Sequence, residues 1–492
     1  MTKIKRRDFL KYSILGAIPI LSADSAWAKN KTEINKKPNI ICIYTDQQSA
    51  GMMSCAGNQW LKTPAMDYIA QNGIRFTRAY TANPVCSPAR VSLMTGRFAG
   101  IFNDNKGNPV RENTGSMRIE AIPPEVEKTT IAAFMKQAGY DLVYGGKEHL
   151  PKPLNPKSLG FQDISNDERE KLAKTASAFI NDKHEKPYFM IVSFINPHDI
   201  CYMALQGLTF ENPECSSGKG KSVAEKQLAE FMKIPDGIKE QDFFDKYCPP
   251  LPPNHQPQQG EPKAIKSLLS RRPFRMAARQ NYTEKDWRLH RWAYHRLTEV
   301  VDRQVQMILD ALRQSGQEEN TLVLFLSDHG DMDSAHLMEH KTALYEEAAN
   351  IPFLAMWKGQ IPAGQVNTEH LVSSGLDLLP TVCDYAGVHG TADQRGRSLR
   401  PLFEGRQVPW RETLGVESEI GRMVVSKDKL KYVLYDAVGK EEQLLDLKQD
   451  PFETTHFTDD PEYAKKLAQL RQSFETEWFP GYSRNPTKDG LG

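Results

Sequence analysis

Cys86, Pro88 and Arg90 follow one another as C-x-P-x-R, and Thr95-Gly96-Arg97 closes the same segment. A cysteine is a nucleophile once its proton is lost. Arg90 has a permanent charge and a rigid donor fork, suited to holding an oxyanion beside that nucleophile. Pro88 fixes its own φ and pushes Ser87 away from helical dihedrals, which predicts Cys86 on an extended turn. A thiolate phosphatase needs its arginine at a longer spacing, so that class fits poorly. Taken alone, a cysteine beside a proline is more often a packed core residue, and the rest of the chain has to decide.

Further polar residues gather where apolar runs end. Pro38 to Tyr44 reads as a buried parallel strand and stops at Asp46-Gln47. A strand at Asp141 to Tyr144 leads into Gly146-Lys147-Glu148-His149, and Pro187 to Ile195 leads into Pro197-His198. Thr321 to Leu326 ends at Asp328-His329, with His336 and Lys341 beyond. The C-terminal ends of strands are where open α/β sheets build sites. Two strand-end aspartates and an amide oxygen would offer a hard cation such as calcium the oxygens it prefers.

The pattern C-x-P-x-R-x-x-x-x-T-G-R resembles the signature of the sulfatase family, whose cysteine is converted to formylglycine. The resemblance runs from about Pro38 to Trp478. It implies calcium at Asp46, Gln47, residue 86, Asp328 and His329, with Gln47 standing where many members have aspartate. It implies catalytic roles for Cys86, Arg90, Lys147, His149, His198 and Lys341. Lys147, His198 and Lys341 would also bind substrate, with His336 as a specificity residue. The implied reaction hydrolyses a sulfate monoester: the hydrated aldehyde attacks sulfur, His198 with Lys341 protonates the leaving oxygen, and His149 serves as base. A formylglycine-generating maturation enzyme is the implied partner. A phosphonate or phosphodiester hydrolase of the same superfamily is the nearest rival, followed by an aryl or choline sulfatase. A non-catalytic binder of anionic glycan would lack the nucleophile or a lysine, and here all are present.

The elements that position these residues alternate. Helices are expected at Pro64 to Gly73, Thr129 to Ala138 and Leu376 to Ala386, with a strand at Ile351 to Trp357. Leu297, Val300, Val301, Val305, Ile308, Leu309 and Leu312 mark one face of a long amphipathic helix. Residues 200–285 read as a long irregular rim, and Trp287, Arg288, Arg291 and Trp292 as candidates for a sugar site. From about Arg411 three β-like pieces and a helix at Pro461 to Trp478 read as a smaller subdomain. The expected fold is α/β: a mixed, largely parallel sheet sandwiched by helices, alkaline-phosphatase-like, with a smaller C-terminal α+β subdomain. The expected divisions are a signal at 1–28, a catalytic domain at 37–405 and the subdomain at 410–480.

Composition is that of an ordinary globular enzyme, with 39% hydrophobic and 25% charged residues. Without the first 28 residues, 58 basic side chains face 60 acidic ones, which gives no footprint for nucleic acid. Those 28 residues read as a twin-arginine export signal: Lys5-Arg6-Arg7, the apolar run Ile14 to Leu21, and Ala26-Trp27-Ala28 for cleavage. The expectation is a periplasmic or secreted enzyme, matured before export, with no membrane segment after cleavage. Seven cysteines without a C-x-x-C spacing do not suggest zinc, and pairing among Cys201, Cys215 and Cys248 is left open.

Overall fold

The computed structural model describes residues 37–213 and 222–482. The export signal and Cys215 lie outside the described residues. The core is an eight-stranded sheet of β1 (Asn39–Asp46), β2 (Ile74–Phe76), β3 (Asp141–Gly146), β4 (Gln162–Ser165), β5 (Tyr188–Pro197), β6 (Thr321–Ser327), β7 (Phe353–Met356) and β8 (Gln365–Asn367). Their spatial order is β4-β3-β5-β1-β6-β7-β2-β8. All run parallel except β7, which is antiparallel to both neighbours.

Side-chain alternation along β1 shows why helices cover both faces. Ile40, Cys42 and Tyr44 enter one apolar cluster, and Ile41 and Ile43 enter another. On the first face lie α2 (Cys86–Thr95), α3 (Ile131–Gln137) and α8 (Ser374–Ala386). On the second lie α1 (Pro64–Gln71), α4 (Glu170–Asn181) and the long α7 (Glu284–Gln314). The expected long helix is thus 31 residues, opened by a capping box of Thr283 and Asp286. Among the described residues no helix is long and apolar enough to cross a membrane.

Two expectations need correction. Residues 200–285 are irregular only in part: among the described ones α5 (Cys201–Leu205), Val223–Phe231, Lys263–Ser270 and α6 (Pro273–Asn281) are helical, while the proline-rich tract over 248–262 is turns and coil. Their helices are too short to show a long periodic run, yet Leu228, Phe243, Leu289 and Leu297 join in one buried cluster with α7. The candidate sugar-site residues of α7 are packing groups. Trp287 is buried, Arg288 donates to the carbonyls of Phe244, Cys248 and Pro249, Arg291 pairs with Asp333, and Trp292 Nε1 donates to the Phe231 carbonyl.

The C-terminal part is a four-stranded antiparallel meander of β9 (Thr413–Ser418), β10 (Gly421–Ser426), β11 (Leu430–Tyr435) and β12 (Glu441–Asp446). The expected closing helix is split into a 3-10 turn at Pro461–Tyr463, an α-helix at Ala464–Ser473 and a π-turn at Phe474–Trp478. Strand β9 escaped the sequence reading because Gly415 interrupts its apolar alternation. A Cβ at Gly415 would lie 2.8 Å from the Trp478 ring, so the gap in the pattern is what admits the indole. The meander shares a buried cluster with Tyr80, Ala82 and Met332 of the main body.

Helix α8 packs on the nucleophile helix and is anchored by a buried ion pair. Arg411 meets Asp377 through two bonds of 2.8 and 2.6 Å, and the same carboxylate accepts the amides of Ser373 and Arg397. Replacing Arg411 with methionine strands that carboxylate, which should cost about 3–5 kcal/mol. A clearly lower denaturation midpoint by circular dichroism is expected, and an unchanged midpoint would show the pair to be dispensable.

Candidate active site

Helix α2 begins at the nucleophile. Val85 caps it in an extended conformation, and Cys86 is the first helical residue rather than part of an extended turn. Pro88 occupies the third helical position, where the backbone N–H has no intrahelical acceptor, so its missing donor costs nothing. The N-terminal dipole end favours negative charge at Cys86.

Strand ends supply the groups around it. The β1–β6 register sets Thr45 opposite Ser327, so Asp46 and Asp328 emerge side by side. Asp46, Cys86, Asp328 and His329 are all buried, and their ligand atoms lie within 4.8 Å of one another. After β3 the chain turns at Gly146 (φ 91°), where a Cβ would sit 2.1 Å from the Ser193 carbonyl oxygen. That turn places Lys147 Nζ 2.6 Å from Asp46 Oδ2 and 3.9 Å from Cys86 Sγ. Lys341 arrives from the opposite side, its Nζ 2.8 Å from Cys86 Sγ and 2.9 Å from Gln47 Oε1.

Arg90 takes a different role from the one its spacing suggested. Its Nε donates to Asp328 Oδ2 (3.0 Å) and its Nη2 to Asp46 Oδ2 (3.1 Å). Its Nη1 donates to the Lys147 carbonyl (2.9 Å) and to Ser193 Oγ (2.8 Å). The guanidinium is therefore committed to the carboxylates and to the Lys147 turn, not to an incoming anion. Ser193 had no sequence signal, because a serine inside an apolar strand reads as filler.

Charge in this buried space is strongly coupled. Burial and Asp46 oppose ionisation of Cys86, yet Lys147, Lys341 and His329 hold its thiol well below the usual range. Burial also works against the Asp46 carboxylate, and Lys147, His198, Lys341 and Arg90 keep it ionised. Burial and the Asp46 charge push Asp328 up to about 6, against the pull of His329 and Arg90. Burial together with the ammonium groups of Lys147 and Lys341 lowers His198 to about 4, leaving a neutral imidazole.

The donor set fits a cation. His329 Nδ1 lies 2.8 Å from the Gly330 carbonyl, which fixes the proton there and leaves Nε2 bare toward Cys86 (3.1 Å) and Asp328 Oδ1 (3.5 Å). That is how a metal-ligating imidazole is oriented. Against burial and Lys341, Asp328 and Cys86 raise the His329 pKa, the direction expected where the surrounding groups favour positive charge. Gln47, in a left-handed conformation (φ 69°), turns its amide nitrogen to Asp331 and its oxygen to Lys341 and Cys201. Its backbone is pinned by Tyr294, whose hydroxyl donates to the Gln47 carbonyl at 2.6 Å. Tyr294 and Asp331 escaped the sequence reading, one as an apolar helix position and the other as a turn acid.

The remaining candidates divide. His198 and His149 are half-buried, and each has an Nδ1 without a partner among the described residues. His336, expected as a specificity residue, is fully buried. Its ring stacks on Tyr345 at 4.1 Å and its backbone N–H donates to Asn254, so it shapes the loop that carries Lys341. The six described cysteines other than Cys215 are all free thiols, Cys201 and Cys248 included.

The family model described as Sulfatase matches residues 38–388, and that described as N-sulphoglucosamine sulphohydrolase, C-terminal, matches 335–478. A Delta 4,5-hexuronate-2-O-sulfatase of Bacteroides thetaiotaomicron is 28% identical over 462 residues, covering 89% of this chain and 88% of the relative. An N-acetylglucosamine-6-O-sulfatase of the same organism is 24% identical over 523 residues, covering 93% and 89%. The solved structure of a Bacteroides thetaiotaomicron sulfatase superposes with a TM-score of 0.73 at 26% identity, covering 89% of this chain and 92% of the other. A phosphonate monoester hydrolase of Agrobacterium radiobacter, at 21% identity and a TM-score of 0.64 over 89% and 94%, shares the fold. With the family's signature cysteine at the head of α2 and its model spanning most of the chain, this protein belongs to the sulfatase family and is a sulfuric ester hydrolase.

Proposed function

We propose that the enzyme removes sulfate from a sulfated carbohydrate, using residue 86 as formylglycine and one calcium ion, after export through its twin-arginine signal. The observation that carries the chemistry is the convergence of two ammonium groups, Lys147 and Lys341, on the residue at the positive end of α2. The carbohydrate preference is supported by the Bacteroides relatives, whose names place their sulfates on a hexuronate and on N-acetylglucosamine. Maturation by a formylglycine-generating enzyme before export belongs to the same reading.

A sulfate monoester repels nucleophiles, and fixed cations must offset that repulsion. Lys147 and Lys341 would take the non-bridging oxygens. Asp46, Gln47, Asp328 and His329 would hold calcium with residue 86, and the ion would add a third fixed positive charge. Formylglycine hydrate would supply the attacking hydroxyl, and a second hydroxyl whose deprotonation releases sulfate. Burial and the two ammonium groups hold His198 neutral. An anion seated between them cancels the charges that depress it, so its imidazole can gain the proton that the leaving oxygen needs. Lys341 Nζ is a second donor to that oxygen. His149, half-buried with a free Nδ1, would accept the proton of the second hydroxyl.

Three measurements test this reading. In protein made with a maturation enzyme, the peptide containing Cys86 should lose one sulfur and two hydrogens and gain one oxygen. Activity should follow the modified fraction and vanish in Cys86→Ala, whereas full activity with a titratable thiol at Cys86 would refute the mechanism. Calcium at a hundred times its dissociation constant should stabilise wild type by about 2.7 kcal/mol in thermal melts and leave Asp328→Ala unmoved. Chelation should abolish turnover, and a fully active metal-free preparation would refute the ion's role. Sulfated saccharides should be hydrolysed in preference to aryl phosphodiesters, choline sulfate and aryl sulfates, and the reverse order would favour one of the rivals.

A further inference from the structure

Helix α6 carries an arginine where it should carry a core residue. Only Arg275 and Ala278 of its nine residues are buried, three apart and so on one face. Ala278 packs with Ala204 and Trp287. Arg275 is only 5% exposed, and its Nε and Nη1 have no partner among the described residues. The acid acting on it most strongly, Glu419, lies 3.6 Å from Arg272 instead. An isolated buried charge is expensive unless something is meant to meet it.

Its surroundings say where that something comes from. Ala204 belongs to α5, which follows His198 within three residues. Phe274, next to Arg275, lies 5.0 Å ring to ring from His340, the neighbour of Lys341. His340 is itself buried, in a left-handed conformation (φ 68°), set against the buried Glu339 carboxylate, and among the described residues its Nε2 has no hydrogen-bond partner and neither does Glu339. Arg275 acts on the His340 imidazole more strongly than Lys341 or His198 does, and its own pKa responds to Cys201 and Asp331. A guanidinium with two donors unpartnered among the described residues thus stands between the two chain segments that bring His198 and Lys341 to residue 86.

We propose that Arg275, assisted by His340 Nε2, is the subsite for a second anionic group of the substrate, a carboxylate or a second sulfate on the sugar that bears the scissile one. This deepens the carbohydrate reading and rests on it. The planar fork of Arg275 suits two oxygens of either group. Lys147 and Lys341 hold the sulfate that leaves, and Arg275 fixes which sugar carries it.

The test compares wild type, Arg275→Gln and Arg275→Lys, each with mature residue 86, on three monosaccharides. One carries a single sulfate, one a sulfate and a carboxylate, and one two sulfates. Wild type should prefer one of the two doubly anionic probes. On that probe Arg275→Gln should lose about ten- to a hundredfold in kcat/KM, mostly through KM, the range expected for one charged hydrogen-bonding partner. Arg275→Lys should fall between, and turnover of the singly sulfated probe should stay within about twofold of wild type in both variants, since no contact there is lost. The probe that suffers tells carboxylate from sulfate. In thermal melts without substrate, Arg275→Gln should be no less stable than wild type, because a buried charge without a partner has been removed. Equal losses on all three probes, no loss on any, or a lower melting midpoint would each overturn the subsite. Wild-type turnover of choline sulfate with none on any sugar would overturn the carbohydrate reading, and the subsite with it.

Discussion

One guanidinium holds the centre of this molecule together. Asp46 and Asp328 leave adjacent parallel strands side by side, and two buried carboxylates so close would repel each other unless a cation lay between them. Arg90 reaches both, and its remaining donors tie down the Lys147 carbonyl and Ser193. A single side chain therefore couples the ends of β1 and β6, the turn after β3 and strand β5 to the helix that carries Cys86. The permanence of the arginine charge matters here. A lysine could lose its proton in so buried a place, and it could not bridge four acceptors in a plane.

The charge balance around residue 86 follows from that bridge. Arg90 and Lys147 satisfy one side of Asp46, and His329 approaches the other. Lys341 lies against Gln47 and Cys86, with Asp46 Oδ1 3.9 Å away. Arg90, Lys147 and Lys341 face Asp46 and Asp328, so one positive charge is left over for a thiolate at residue 86 or for an anion that takes its place. Burial first, and then the charges of Lys147 and Lys341, keep His198 neutral.

Legibility in the sequence depended on whether a residue's role was written locally. Strands β1, β3, β5 and β6 declared themselves as apolar runs, and Asp46, Lys147, His198 and Asp328 stood out as abrupt polar stops after them. The nucleophile was read from spacing alone, although its local conformation was not. Pro88 was taken as breaking a helix, whereas it lies in a first turn that has no bond to break. Arg90 was misread for a deeper reason. Its donors are consumed by residues 46, 147, 193 and 328, and pairing across such separations has no local trace. His336 and the α7 tryptophans failed in the same way, since burial between distant segments looks like chemistry when seen one residue at a time.

The helices between β5 and β6 take on a larger part once they are seen to be ordered. A loose rim would leave the mouth of the site to water, and the desolvated cations within would lose much of their strength. Instead α5 continues directly from His198, α6 packs on α5, and α7 carries the tyrosine that pins Gln47. The segment that closes the site is therefore the one that positions its acid, and a change in the shape of the rim is transmitted to the proton donor. Arg275 sits at that junction, its Nε and Nη1 unpartnered among the described residues. The main sheet and α2 fix the reaction by the ends of their strands. The helices inserted between β5 and β6 can then adjust which sugar enters without disturbing Arg90 and the two carboxylates on which the chemistry rests.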